Sequence, residues 1–319
     1  MGFQIEGEIR PVDPLARQGA GLQTAFIDPL GPLANLPGTW TGTGFSQIWR
    51  PMHGSNGHFL ELNLTSETIE FTPSIGSVPN RGSLQPDIEL FGVQYFQQVK
   101  DALTGDTIHI EPGFWLTAPQ TSAPAEPATV IRLATIPHGV AANAQGTAST
   151  ALGGPSIKSV SIAPAVIDLP QSAGPPGFAQ FPESNLSQPT PFRSPNPLPA
   201  ALTQAMVDNP NVVLTQALAS QSVTRTTTLV VNTSAPALPP PPAAPNTGGG
   251  LANIAFLQGS AAAGPNAQPV QMSATFWIEE VAAGPQGPAF LQLQYSQTVI
   301  LNFKGFSWPH VSVGTLRKQ

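Results

Sequence analysis

The longest clean alternation in the chain runs from Phe290 to Phe303. Leu291, Leu293, Tyr295, Gln297, Val299, Leu301 and Phe303 alternate with Gln292, Gln294, Ser296, Thr298, Ile300 and Asn302. A period of two with one apolar face predicts a half-buried antiparallel strand. Similar runs predict strands over 38–45, 58–71, 88–99, 107–116, 223–231, 270–281 and 308–317. Residues 129–146 predict two more, broken at Pro137-His138-Gly139. The only helix-like stretch is 199–220, and Asn209-Pro210 splits it into two short helices.

Between these runs the texture is irregular. Residues 1–30 read as an N-terminal arm and 73–86 as a loop. Segment 147–200 is dense in Pro, Gly, Ser and Ala, with one strand expected near 157–162. Segment 236–250, with its run of prolines and its Gly248-Gly249-Gly250, reads as a surface linker. About ten strands with no β-α-β rhythm imply an all-β sandwich or barrel, and a closed barrel disposes of its edges. A ten-stranded antiparallel barrel built from 31–146 and 251–319, with 147–250 inserted, is the expected organisation. A barrel of that size can enclose one ligand.

Composition narrows the functions. Only 9% of the 319 residues are charged, against roughly 25% in typical soluble domains. The net charge is −6, with 12 Lys and Arg and no basic run, which argues against nucleic acid and anionic membrane surfaces. The chain has no cysteine, which excludes disulfides, thiolate catalysis, Fe–S clusters and cysteine-ligated metals. It shows neither a signal-peptide pattern nor an apolar run of about 20 residues, so a cytoplasmic location without a membrane span is expected. The sequence leaves a homo-oligomer open.

Candidate chemistry concentrates at the last strand. There His310, Ser312 and Gly314 share one face, and Val311, Val313 and Thr315 share the other. A histidine beside small residues at the rim of a barrel is a candidate metal or haem ligand. On this stretch alone a rim histidine bonded to a neighbouring carbonyl is the preferred reading, since lone histidines are usually structural. The alternate glycines of Gly38-Thr39-Trp40-Thr41-Gly42-Thr43-Gly44 suggest bending or close approach to a ligand. His53 and His58 flank a loop and are expected to be solvated, and His138 reads as a turn residue. The chain lacks a Gly-x-Ser-x-Gly elbow, a Walker loop and a His-Glu-x-x-His spacing.

Four motifs in order resemble the nitrobindin-like haem-binding β-barrels. They are Gly31-Pro32-Leu33 through Gly44 with Glu67-Thr68-Ile69-Glu70-Phe71, then His109-Ile110-Glu111-Pro112-Gly113-Phe114-Trp115, then Arg132 to Val140, then Trp308-Pro309-His310 through Leu316. The resemblance covers roughly 31–146 and 270–318, and this chain is about twice the family's length. It implies a barrel akin to fatty-acid-binding proteins that holds haem b with His310 as the iron ligand. It also implies cofactor contacts from Ile108, Trp40, Ser312 and Gly314, with Trp40 read alternatively as packing the barrel bottom where its indole N–H needs a partner, and an acid/base role for His109, whose alternative is a strand histidine paired with Glu111. Arg132 and Lys304 are candidates to meet the propionates. The implied reactions are NO binding, peroxynitrite isomerisation or peroxidase-like chemistry. The rival readings are a carrier of fatty acid or another apolar molecule without haem, and an assembly role for the Pro-rich insertion.

Overall fold

The computed structural model describes residues 28–319 except 55, 168–176, 234–247 and 285–286. The expected N-terminal arm therefore lies outside the described residues up to 27, as does the expected linker up to 247.

Ten antiparallel strands form the wall: β1 (Gly38–Pro51), β2 (His58–Phe71), β3 (Ile88–Asp101), β4 (Thr107–Ala118), β5 (Thr129–Ile136), β6 (Val140–Leu152), β7 (Val223–Asn232), β8 (Gln268–Val281), β9 (Phe290–Phe303) and β10 (Phe306–Lys318). Their order is β2-β1-β10-β9-β8-β7-β6-β5-β4-β3, and β3 pairs with β2 to close the barrel. The alternating patterns made this closure favourable, because every strand offers one apolar face and no edge is left unpaired.

Tight turns at positive-φ residues join several neighbours. The turn between β3 and β4 passes through Gly105, with Asp101 accepting from the Leu103 and Thr104 N–H groups. Gly139, at φ 105°, makes the turn between β5 and β6.

The insertion differs from expectation in three ways. First, β7 comes from within 147–250 and β6 runs on to Leu152, so this stretch supplies wall as well as cover. Second, 157–162 forms no strand, although Ile157, Val160 and Ile162 pack on the barrel. Third, the 73–86 loop contains a short strand, Ser77–Asn80, that pairs with β3.

The two expected helices are present as α1 (Gln204–Asp208) and α2 (Val212–Leu218). Thr203 caps α1 by accepting from the Met206 N–H. Leu202, Met206, Val207 and Leu214 press onto outward-facing Phe45, Trp49, Leu62, Val311 and Val313. The wall is consequently buried on both faces here, and the indole N–H of Trp49 donates to the Ile162 carbonyl at 3.1 Å. A third helix, α3 (Ala255–Gln258), follows a strand, Gly248–Asn253, that pairs with β6.

Candidate functional site

Inward-facing side chains divide the barrel into three layers. The lowest is apolar. Trp40, Phe71, Trp115 and Phe276 fill it, and Leu30, Leu33 and Leu36 around the 3-10 helix Gly31–Leu33 plug the end. Trp40 is fully buried there, and its indole N–H donates to the Leu36 carbonyl at 2.8 Å.

The middle layer is a polar belt. The guanidinium of Arg132 on β5 donates to Glu111 on β4, to the Tyr95 hydroxyl at 3.0 Å, and to Gln297 on β9. Tyr95 donates in turn to Glu111. Across the barrel, Glu67 on β2 accepts from Tyr295 at 2.6 Å, Thr65 at 2.7 Å and Gln97 at 3.4 Å. The two carboxyls behave oppositely. Burial pushes Glu111 up, but Arg132, His109 and Tyr95 outweigh it and hold the group at about 2. Burial also pushes Glu67 up, and its neutral donors only partly offset that, so it lies above the ordinary value.

Glycines make room for the belt. A Cβ on Gly44 would lie 2.3 Å from the Val313 carbonyl oxygen and 2.5 Å from a Glu67 carboxylate oxygen. One on Gly314 would lie 2.5 Å from the Tyr295 ring. These glycines therefore accommodate protein side chains rather than a ligand. This corrects the expectation that Gly314 leaves space for a porphyrin.

Above the belt lies a cavity of about 340 Å³. Its walls are largely apolar, with Ile48, Val99, Ile108, Ile136, Met272 and Val299 among them. Ser46, Ser312, Gln97, Tyr295 and Gln297 bring polar groups, and the two serine hydroxyls bond one another at 2.9 Å. Three histidines face this space: His310 on β10, His109 on β4 and His138 in the turn after β5. In register, His310 sits between Ile48 on β1 and Val299 on β9.

Among the described residues the His310 ring has no hydrogen-bond partner. Burial, with the nearby charges of His109 and His138, pushes it down to about 3, so it is neutral at physiological pH. His109 bonds Glu111 at 3.3 Å, as its place two residues away on one face suggested. Burial and His109 also push His138 below the ordinary value.

The structure thus brings His310, His109, Ile108 and Ser312 to one cavity and keeps Trp40 and Gly314 out of it. Trp40 belongs to the apolar plug because its position on β1 is two turns of the alternation below Gly44. Arg132 is sealed in the belt against Glu111, so it is not free to meet a ligand's acid groups. Lys304 lies beside Gly57, near His58 and Trp308, away from this cavity. The cation at the mouth is Arg50, paired with Glu61. His53 is exposed, as expected. His58 is not solvated: it stacks on Trp308 at 5.0 Å and approaches Glu183 at 3.5 Å, because the insertion covers it.

Sequence reasoning missed Gln97, Tyr295 and Gln297 as cavity groups, and the belt as a whole. Its signal was present: Glu67, Glu111 and Arg132 occupy inward positions of otherwise apolar alternations.

What can this set hold? No group of three or more His, Asp or Glu among the described residues is arranged around a metal ion. A single neutral imidazole facing an apolar cavity suits a metal that brings most of its own ligands, as haem iron does. The described residues contain no helix long and apolar enough to cross a membrane.

No family model matches the chain, and no curated protein does. Among solved structures it is similar to Rv2717c from M. tuberculosis, at 13% identity and a TM-score of 0.40 over 91% of this chain and 97% of that one.

Proposed function

We propose that the barrel binds haem b in the upper cavity, with His310 as the iron ligand, and presents the other face of the haem to NO or a small oxidant. The observation that supports this is the state of His310. The ring is partly buried among largely apolar walls and has no hydrogen-bond partner among the described residues, whereas polar groups withdrawn from water normally have one. A metal ligated through its lone pair would supply the partner. Neutrality matters too, because a protonated imidazole cannot ligate.

In this reading Ile108, Met272 and Val299 would hold the apolar ring system, Ser312 would line the wall next to His310, and Arg50 at the mouth would meet an acid group. His109 and His138 stand ready to handle protons at the site. Bound haem would supply an open coordination position for NO or a peroxide-class oxidant.

The second reading is a carrier of an apolar small molecule, supported by the same walls and by the Gln297 and Gln97 amides at the floor. A fatty-acid headgroup is less well served, since Arg132, the cation beneath the floor, already holds Glu111. Titration of the full chain with hemin and, separately, with a fluorescent fatty acid decides between the two. Saturation by hemin at one equivalent, abolished in a Val299→Trp variant that fills the cavity, is expected. Tight binding of the fatty acid with no hemin uptake would overturn the proposal.

A further inference from the structure

His109 and His138 stand in a graded order from solvent inward. His138 is exposed at the rim turn, His109 is partly buried, and Glu111 and Arg132 are sealed in the belt. The two imidazole rings lie 5.8 Å apart between centroids, inclined at 35°. Nε2 of His109 faces a Glu111 carboxylate oxygen at 3.3 Å, while the other oxygen accepts from Arg132 and Tyr95. An ionised carboxylate only accepts hydrogen bonds, so Nε2 keeps its hydrogen and Nδ1 becomes the nitrogen that gains and loses a proton.

We propose that His138 and His109 form a proton relay between solvent and the cavity, with Glu111 and Arg132 as positioning residues that fix the tautomer and orientation of His109. The proposal rests on the reading of the cavity as a site for a small ligand facing His310. In each cycle His109 gives the proton on Nδ1 to the ligand, His138 replaces it, and water reprotonates His138. No electron moves; each cycle carries one proton from solvent water to the ligand and returns both histidines to their starting state.

The groups facing His109 are His138, Glu111, Arg132, Glu67 and His310. Arg50 and Glu61 at the mouth neutralise one another. His310 adds no charge because it stays neutral. Charge on either ring therefore disfavours charge on the other, since the two rings are neighbours in one cavity. His138 lies below the ordinary value through burial first and the charge of His109 second.

Ring-proton resonances of the two histidines, followed in the full chain without haem across roughly pH 5 to 8, test the relay. His109→Asn should raise the midpoint of His138, and His138→Asn should raise that of His109. The two shifts should be equal, at about 0.5 to 2 pH units for charges at this separation. His138→Asn should also slow exchange of the His109 ring proton with solvent by roughly tenfold. Unchanged midpoints in both variants, or exchange at His109 that is unaffected by loss of His138, would overturn the proposal. His138→Asn leaves the Glu111–Arg132 pair untouched, whereas His109→Asn removes one partner of Glu111, so the His138→Asn arm decides if the two disagree. Since no haem is present, failure here is distinct from failure of the haem assignment.

Discussion

Replacing Arg132 by methionine leaves Glu111 as an unpaired carboxyl in the centre of the barrel. In the wild type Glu111 is held at about 2 against an ordinary 4.5, which favours the ionised folded state by about 3 kcal/mol. Breaking a buried ion pair by removing one partner costs about 3–5 kcal/mol, so the two figures agree. The sign of the pH dependence is the sharper test. In the wild type this contribution is fully present above 4.5 and is lost as pH falls toward about 2. In Arg132→Met the largest influence opposing burial is gone and only His109 and Tyr95 remain against it, so Glu111 should move up past its ordinary value and stability should instead rise as pH falls from about 7 to about 5. Urea unfolding of both proteins across that range gives the answer. The double variant Arg132→Met with Glu111→Leu should recover most of the loss, since apolar replacements of buried ion pairs are often neutral. An Arg132→Met protein with the wild-type midpoint and the wild-type acid slope would refute the reasoning.

Three further outcomes follow from the packing and the titratable groups. Gly44→Ala should lower stability by about 1–3 kcal/mol, because its Cβ meets a backbone carbonyl and Glu67 together; thermal unfolding reads this directly. Trp49→Ala should cost about 3–5 kcal/mol and make the cover formed by 157–167 and 177–218 susceptible to limited proteolysis while the wall strands stay protected. Burial pushes Glu279, on the outer wall beside Gln292, up to about 7. Its contribution is therefore fully present below 4.5 and lost as pH rises through 7. Glu279→Gln should flatten the fall in melting temperature between about pH 5 and 8.

Most of the wall was legible because its strands alternate. The 290–303 run matches β9, and Pro137-His138-Gly139 marks the turn between β5 and β6. The face shared by His310 and Ser312 was legible for the same reason. The double burial of β10 was harder to read. Val311 and Val313 looked like an ordinary outer face, yet apolar residues at both parities signal a strand covered on two sides. What covers them comes from 157–162 and 181–214, which are Pro- and Ala-rich with hardly any periodicity, so the packing came from tertiary contacts alone. Glycine misled in one respect. Gly44 and Gly314 announced an approach, but sequence does not say by what, and the visitors are Tyr295 and Glu67 from neighbouring strands. The belt depends on pairings such as Glu111 with Arg132, which lie 21 positions apart and meet only once the barrel closes.

The most direct test of the haem assignment is the absorption spectrum of the full chain after hemin addition, set beside His310→Gly with and without added imidazole. The account predicts a Soret band in the wild type, its loss or shift in His310→Gly, and recovery of the wild-type band when imidazole takes the vacated position. A wild-type spectrum indistinguishable from free hemin, or a band that His310→Gly leaves unchanged, would contradict it.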